Sequence, residues 1–361
     1  MLKNKFTFID LSLENTTLYK GIAILMIIMH NFFHLLPPGI GENEQDFKLE
    51  RLETYFQIIF NQPELFFQAT LSFLGHYGVQ VFLFLSAYGL TKKYINSRIF
   101  YLDFLKKRIL KIYPAFLFSI LLWAVYTGFL DGGPFNVIID NWKQLLIKLT
   151  FIANFFPGRL YELNGPWWFV SLIVQFYFIF PFMLYVYKKY NNLGLIGLSL
   201  VSLILTAYLQ PLVNIPLPGT VLTHIPELSI GIFLAQQRNL TINYFTVFFI
   251  VIIFILSNLY HFFWFLSYSS ALILLLMIFQ NIVLKCNQTL TKYLLFIGSI
   301  SMYIFYIHGF MRIPWIGFAK HFDLWYINIF ICLIFISIVI VSSFLMMRFS
   351  NIIKQNFSIY L

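Results

Sequence analysis

Four polar side chains stand in a stretch that otherwise reads as membrane-spanning. The run from Leu18 to Leu36 admits Lys20 near its start and His30, Asn31 and His34 in its second half. At about 1.5 Å of rise per residue, Lys20 and His30 lie roughly 15 Å apart along a helix. That places a cation near one membrane face and an imidazole near mid-depth of a hydrocarbon core about 30 Å thick. At about 100° per residue Asn31 falls roughly 20° from Lys20, His34 about 40° and His30 about 80°, so all four share one side. An ionisable group here must face protein or a wet cavity to escape desolvation, which makes it a functional candidate. A neutral imidazole, with an ordinary pKa of about 6.5, can take a proton from a hydroxyl or act as a nucleophile itself. In the alternative reading Lys20 snorkels to the surface and the histidines only bridge helices.

The elements that position these groups follow from composition. Of the 361 residues 60% are hydrophobic and 11% charged, and the mean hydropathy is +0.80, whereas soluble domains carry about 25% charge. The chain is expected to be an all-α polytopic membrane protein. Apolar windows predict ten spans near 18–36, 70–91, 112–130, 167–187, 193–210, 221–236, 243–259, 262–284, 293–314 and 325–347. One membrane-embedded domain, 1–361, is expected, with no cleavable signal, internal repeat or appended soluble domain. Cys286 and Cys332 sit in or beside apolar segments and read as thiols without chemistry.

A net charge of +10 belongs to membrane topology here and not to nucleic-acid binding, because Lys and Arg mark cytoplasmic connections. With both termini cytoplasmic, the inside segments take most of the 24 Lys and Arg, and the outside takes most of the 14 acids, Glu42, Asp131 and Asp323 among them. The outer loop 37–66 holds a candidate surface helix around 51–61, and the outer loop 131–166 an amphipathic piece near 141–153. The inner connection from Thr91 to Lys111 carries Lys92, Lys93, Arg98, Lys106, Lys107, Arg108 and Lys111 against Asp103 alone. Such a cluster suits anionic lipid or a polyphosphate. Glu227 is the one acid within an expected span, and hence the available carboxylate partner there.

Ordered landmarks along these spans resemble the acyltransferase-3 family of integral membrane acyltransferases. Lys20-Gly21-Ile22-Ala23-Ile24 followed by His30-Asn31 is similar to its first-helix motif. Gly78-Val79-Gln80-Val81-Phe82-Leu83-Phe84-Leu85-Ser86-Ala87-Tyr88 resembles the end of its second span, and Lys107-Arg108-Ile109-Leu110-Lys111-Ile112-Tyr113-Pro114 the start of its third. Trp167-Trp168-Phe169-Val170-Ser171, with Gln175-Phe176-Tyr177, is similar to its fourth, and Pro226-Glu227-Leu228 and Ser299 to His308 match later landmarks. The chain departs from the family in three places. Lys20 stands where Arg is usual and lacks the planar fork. The strict motif spacing lands on Asn31, one residue past His30. The acid often found within the fourth-span motif is absent, leaving Leu172, Ile173 and Val174.

The resemblance implies transfer of an acyl group, usually acetyl from acetyl-CoA, to a hydroxyl of a cell-envelope glycan or lipid-linked sugar. Its expected setting is a bacterial inner membrane. On that reading His30 is the base, grouped with Asn31, His34 and Glu227. Lys20, Lys107, Arg108 and Lys111 meet the CoA phosphates. Trp167, Trp168, Gln175, Tyr177 and His308 belong to the acceptor side, although the tryptophans also suit an interfacial belt and His308 a helix-bridging role. The expected partners are acyl-CoA, the sugar acceptor and membrane lipid; neither a metal nor nucleic acid is expected. His76, His224, His261 and His321 receive no role. The competing classes are an exporter of a glycan or lipid-linked precursor and a proton-coupled transporter with His30 and Glu227 as relay groups.

Overall fold

The computed structural model describes residues 5–40, 44–129, 132–237, 240–322 and 324–356. Glu42, Asp131 and Asp323 lie outside them, as do both chain ends. The described chain is built of helices α1 (Leu13–Phe33), α2 (Leu49–Asn61), α3 (Phe66–Leu74), α4 (Gly78–Tyr94), α5 (Tyr101–Gly128), α6 (Pro134–Asp140) and α7 (Trp142–Leu149). These are followed by α8 (Trp168–Leu209), α9 (Ile225–Leu234), α10 (Tyr244–Leu259), α11 (Leu266–Lys285), α12 (Gln288–Met311), α13 (Ile313–Phe322) and α14 (Trp325–Asn356). Strands β1 (Lys5–Ile9) and β2 (Leu240–Asn243) form one antiparallel pair.

Among the described residues 7 helical segments are long and apolar enough to cross a membrane. The chain is thus an all-α protein of membrane character. The sequence windows named ten spans, and the difference has local causes. The fourth and fifth windows share one 48-residue segment, Gly165–Leu212, whose helix breaks at Asn191 with φ 52°, a positive angle that Asn tolerates better than most residues. The sixth and seventh windows fall on α9 and α10, of only 10 and 16 residues. The second span is discontinuous: α3 ends at Leu74, a 3-10 turn occupies Gly75–Tyr77, and α4 resumes at Gly78. The expected surface helix is α2, and the amphipathic piece of the second long loop is α7.

The contacts resolve two compact units. The first comprises Met1–Ser97, Phe182–Leu212 and Leu222–Ser299. Its core joins Tyr19 and Ala23 of α1, Phe84 and Leu85 of α4, Leu234 of α9, and Leu272, Leu276 and Phe279 of α11, all buried. The helix α1 starts at a Ser12 cap, whose Oγ accepts from the Asn15 N–H at 3.2 Å and satisfies one of the orphan donors of the first turn. The second unit comprises Arg98–Pro181, Val213–Val221 and Ile300–Leu361. Aromatic rings fill its interior: Phe116 lies 5.3 Å from Trp167 and 5.7 Å from Tyr306, centroid to centroid, and Trp123 lies 6.1 Å from Trp167.

Candidate functional site

The break between α3 and α4 explains where the first histidine binds. A helix that tightens into a 3-10 turn leaves last-turn carbonyls without their usual i+4 donors, and the carbonyl of Ser72 lies in that turn. It stands 2.8 Å from Nδ1 of His30. A carbonyl only accepts, so Nδ1 carries the proton and, in the neutral ring, the lone pair sits on Nε2. The approach is close because residue 75 is glycine: a Cβ there would lie 2.7 Å from Cβ of His30 and 2.8 Å from the Met26 carbonyl.

Three imidazoles gather at this point. His34, one turn after His30, donates from Nδ1 to the His30 carbonyl at 2.7 Å, and its ring stacks on His30 at 4.8 Å. His76, in the 3-10 turn, places its ring 5.4 Å from His30. All three are buried. Asn31 is half-buried and spends its amide N–H on the Ile27 carbonyl of its own helix at 3.0 Å. Lys20, three turns earlier, is half-buried.

Glu227 is fully buried in the first turn of α9, where the helix dipole favours a carboxylate. Its partners are His224, with Nδ1 3.2 Å from Oε2, and Ser269 of α11, which donates to Oε1. A file of rings leads from this pair toward the histidines: His224 to Tyr268 at 5.2 Å, Tyr268 to Tyr77 at 6.3 Å, Tyr77 to His76 at 4.0 Å. A cavity of about 220 Å³ lies at the opposite end of α1, lined by Asp10, Ser12, Tyr88 and Lys92 among others.

The remaining expected residues lie in the second unit. Trp167 is fully buried and donates from Nε1 to the Tyr306 carbonyl at 2.9 Å; Trp168 is buried beside it. Gln175 accepts at Oε1 from the Val221 N–H at 3.0 Å. Tyr177, half-buried, packs edge-on against Phe104. His308, with no exposure, donates from Nδ1 to the Ile304 carbonyl at 3.0 Å. The cations expected on a loop are on helix: Lys92 and Lys93 close the last turn of α4, and Lys107, Arg108 and Lys111 lie in the first turns of α5. Lys107 and Lys111 are exposed and, being i,i+4, share a face; Arg108 is half-buried over the Phe104 ring. Lys148 of α7 is buried and donates to the Leu160 carbonyl at 2.7 Å. Burial pulls its amine down to about 8 against the opposing pull of Glu162.

The fold therefore assembles His30 with His34, as the sequence suggested, and adds His76. Glu227 is joined to His224 and Ser269. His224 was readable as the i,i+3 neighbour of Glu227; His76 had no such signal, since only the break after Leu74 turns it toward α1.

A model of the acyltransferase-3 family, described as an acyltransferase domain, matches residues 15–347. No curated protein and no solved structure matches the chain significantly.

Proposed function

The chain belongs to the acyltransferase-3 family, and from that premise we propose that it moves an acetyl group from cytoplasmic acetyl-CoA to a hydroxyl of a cell-envelope glycan or lipid-linked sugar. The observation that carries the reading is the hydrogen bond from Nδ1 of His30 to the Ser72 carbonyl, 2.8 Å long. It fixes the tautomer and leaves Nε2 as the basic nitrogen in a buried setting. Nε2 takes the acceptor hydroxyl's proton while the oxygen attacks the thioester carbonyl. The C–S bond then breaks, the new ester is released, and the imidazolium returns the proton to the CoA thiolate. His34 and Asn31 flank this base, and Glu227, bonded to His224 and Ser269, ties α9 to α11 in the same unit. On the donor side Lys20, Lys107, Arg108 and Lys111 supply charge-assisted contacts to the CoA phosphates. Trp167, Trp168, Gln175, Tyr177 and His308 serve the acceptor.

In this reading the protein is integral to a bacterial inner membrane with both termini and the α4–α5 connection cytoplasmic, where CoA is made. The exporter reading draws on one observation, the discontinuous second span, since broken helices also build transport sites. Mass spectrometry of envelope glycan separates the readings, using cells with the gene, without it, and with His30→Ala. O-acetyl groups are expected in the first sample only. Loss of the glycan itself from the surface would favour export, and acetylation undiminished in the deletion would sink the proposal.

A further inference from the structure

The hydrogen bond from Nδ1 of His30 to the Ser72 carbonyl fixes one point of the ring. A histidine side chain turns about both of its single bonds, so with that bond alone Nε2 could still swing on an arc. Other rings close the arc. His34 stacks on His30 at 4.8 Å with 21° between the planes. His76 meets it at 5.4 Å with 60° between the planes, a tilt that keeps the two rings from sliding together. These contacts differ in stiffness. His34 caps the C-terminal end of α1, and helix ends fray, whereas His76 comes from the buried 3-10 turn Gly75–Tyr77 between α3 and α4.

A clamp works only if it is itself held. The His76 ring lies 4.0 Å from that of Tyr77, its chain neighbour, and both residues are buried. Tyr77 packs in turn against Phe254 of α10 at 5.7 Å and Tyr268 of α11 at 6.3 Å. Tyr268 is fixed at both ends: its hydroxyl donates to the Glu44 carbonyl at 2.8 Å, and its ring lies 5.6 Å from Trp264 and 5.2 Å from His224. Behind His76 therefore stands one of the buried clusters of the first unit, Tyr77, Trp264, Phe265, Tyr268 and Ala271. Close-packed interiors yield little, so a ring backed by this cluster gives His30 a firm neighbour.

We propose that His76 is a positioning residue: its ring, backed by the aromatic cluster, holds the His30 imidazole in the orientation from which Nε2 acts. The inference rests on the acyl-transfer reading and adds to it a residue that the reading leaves without a role. His76 acts through His30 and touches neither donor nor acceptor. Orientation matters because a catalytic group must sit within about 0.5 Å and 10–20° of its productive geometry. The role asks for a flat ring at position 76 and not for a nitrogen that titrates, so phenylalanine serves there and alanine does not.

The test uses full-length protein in detergent, with transfer of labelled acetyl from acetyl-CoA to envelope glycan fragments stripped of esters by mild base. His76→Ala lowers kcat by up to about 10²-fold, the cost of a misplaced catalytic group, and leaves both KM values largely unchanged. His76→Phe restores most of that loss. Where His76→Ala fails to accumulate, His76→Leu takes its place: it fills the space without a flat ring and lowers kcat in the same direction. In a His30→Ala background His76→Ala costs nothing further, because the two residues act as a unit. A second readout needs no turnover: nitrogen NMR of histidine-labelled protein, with the His30 signal assigned by its absence in His30→Ala. That signal is single in the wild type and in His76→Phe, and broad or multiple in His76→Ala. Wild-type kcat and a single His30 signal in His76→Ala overturn the positioning role while leaving acyl transfer standing, and so does a His76→Phe as slow as His76→Ala. A wild type that transfers nothing, with a His30 signal that broadens only in His76→Ala, overturns the reaction and keeps the clamp.

Discussion

His30 in the first unit and Asn164 in the second are each held at one end by a backbone carbonyl, Ser72 and Tyr306 respectively. Each also leans against a glycine that admits the approach, Gly75 and Gly309. What differs is the group at the other end. An imidazole tethered through Nδ1 offers a second nitrogen whose lone pair can accept a proton. A tethered amide offers an oxygen whose charge does not change. The first arrangement suits a step in which a bond to hydrogen is broken, and the second suits recognition of a hydroxyl that stays intact. The same anchoring device therefore holds the imidazole of His30 in one unit and the amide of Asn164 in the other.

The comparison can be broken at its glycines, where the largest effects are expected. Gly75→Ala puts a methyl into the space of the His30 side chain and the Met26 carbonyl, and small misplacements of a catalytic group cost about 10²-fold. It should lower kcat of labelled acetyl transfer by about that factor with acceptor KM little changed. Gly309→Ala pushes a methyl into Asn164 Oδ1 and the Pro166 ring, and should lower the melting temperature while reducing kcat less than Gly75→Ala does. Equal effects of both substitutions on kcat would mean that the two units do not divide the work in this way.

Glu227→Ala removes the partner of both His224 and Ser269 at a site with no exposure. Breaking a buried pair by deleting one partner costs about 3–5 kcal/mol, so the melting temperature should drop far more than with Glu227→Gln. An unaltered melting temperature in both would leave Glu227 available for a direct catalytic role. Replacing Lys107, Arg108 and Lys111 together with Gln should weaken acetyl-CoA binding roughly tenfold or more, through lost charge-assisted contacts. Wild-type affinity in that variant would reduce the cluster to a topology signal.

The smallest effect concerns Lys148, whose amine falls from an ordinary 10.5 to about 8 on burial. Below pH 8 both folded and unfolded chains carry the proton, and the burial penalty is felt in full. Between about 8 and 10.5 the folded protein has released its proton and the unfolded chain has not, so stability rises with pH across that window. Relative to Lys148→Met, the wild-type melting temperature should climb between these values; parallel curves would show that the amine is charged in the folded loop throughout.

Much of this was legible in the chain. The run Leu18 to Leu36 foretold both α1 and the gathering of His30 and His34, because i,i+4 spacing on one apolar helix forces it. The family landmarks at Lys20, Gly78, Lys107, Trp167 and His308 foretold the match over residues 15–347. The span count was less legible: the gap between the fourth and fifth windows does fall at the Asn191 break, but hydropathy cannot tell a 10-residue helix from a spanning one. The helical setting of Lys107 to Lys111 was hidden because charge density reads as loop, although the apolar positions between the cations, Ile109, Leu110 and Ile112, keep a helical rhythm. His76 and Asn164 were missed for a shared reason: each acts through a contact distant in sequence, with α1 and with Tyr306, that no local spacing encodes.

The central claim is that Nε2 of His30, set by the Ser72 carbonyl, takes the proton of the acceptor hydroxyl. Its most direct test is the initial rate at which membranes with matched amounts of folded protein transfer labelled acetyl from acetyl-CoA to envelope glycan. His30→Ala should fall by roughly 10²–10⁴-fold, the usual contribution of a general base, with His34→Ala falling less. Full activity in His30→Ala would contradict the account, and together with loss in His34→Ala it would move the base one helical turn along α1.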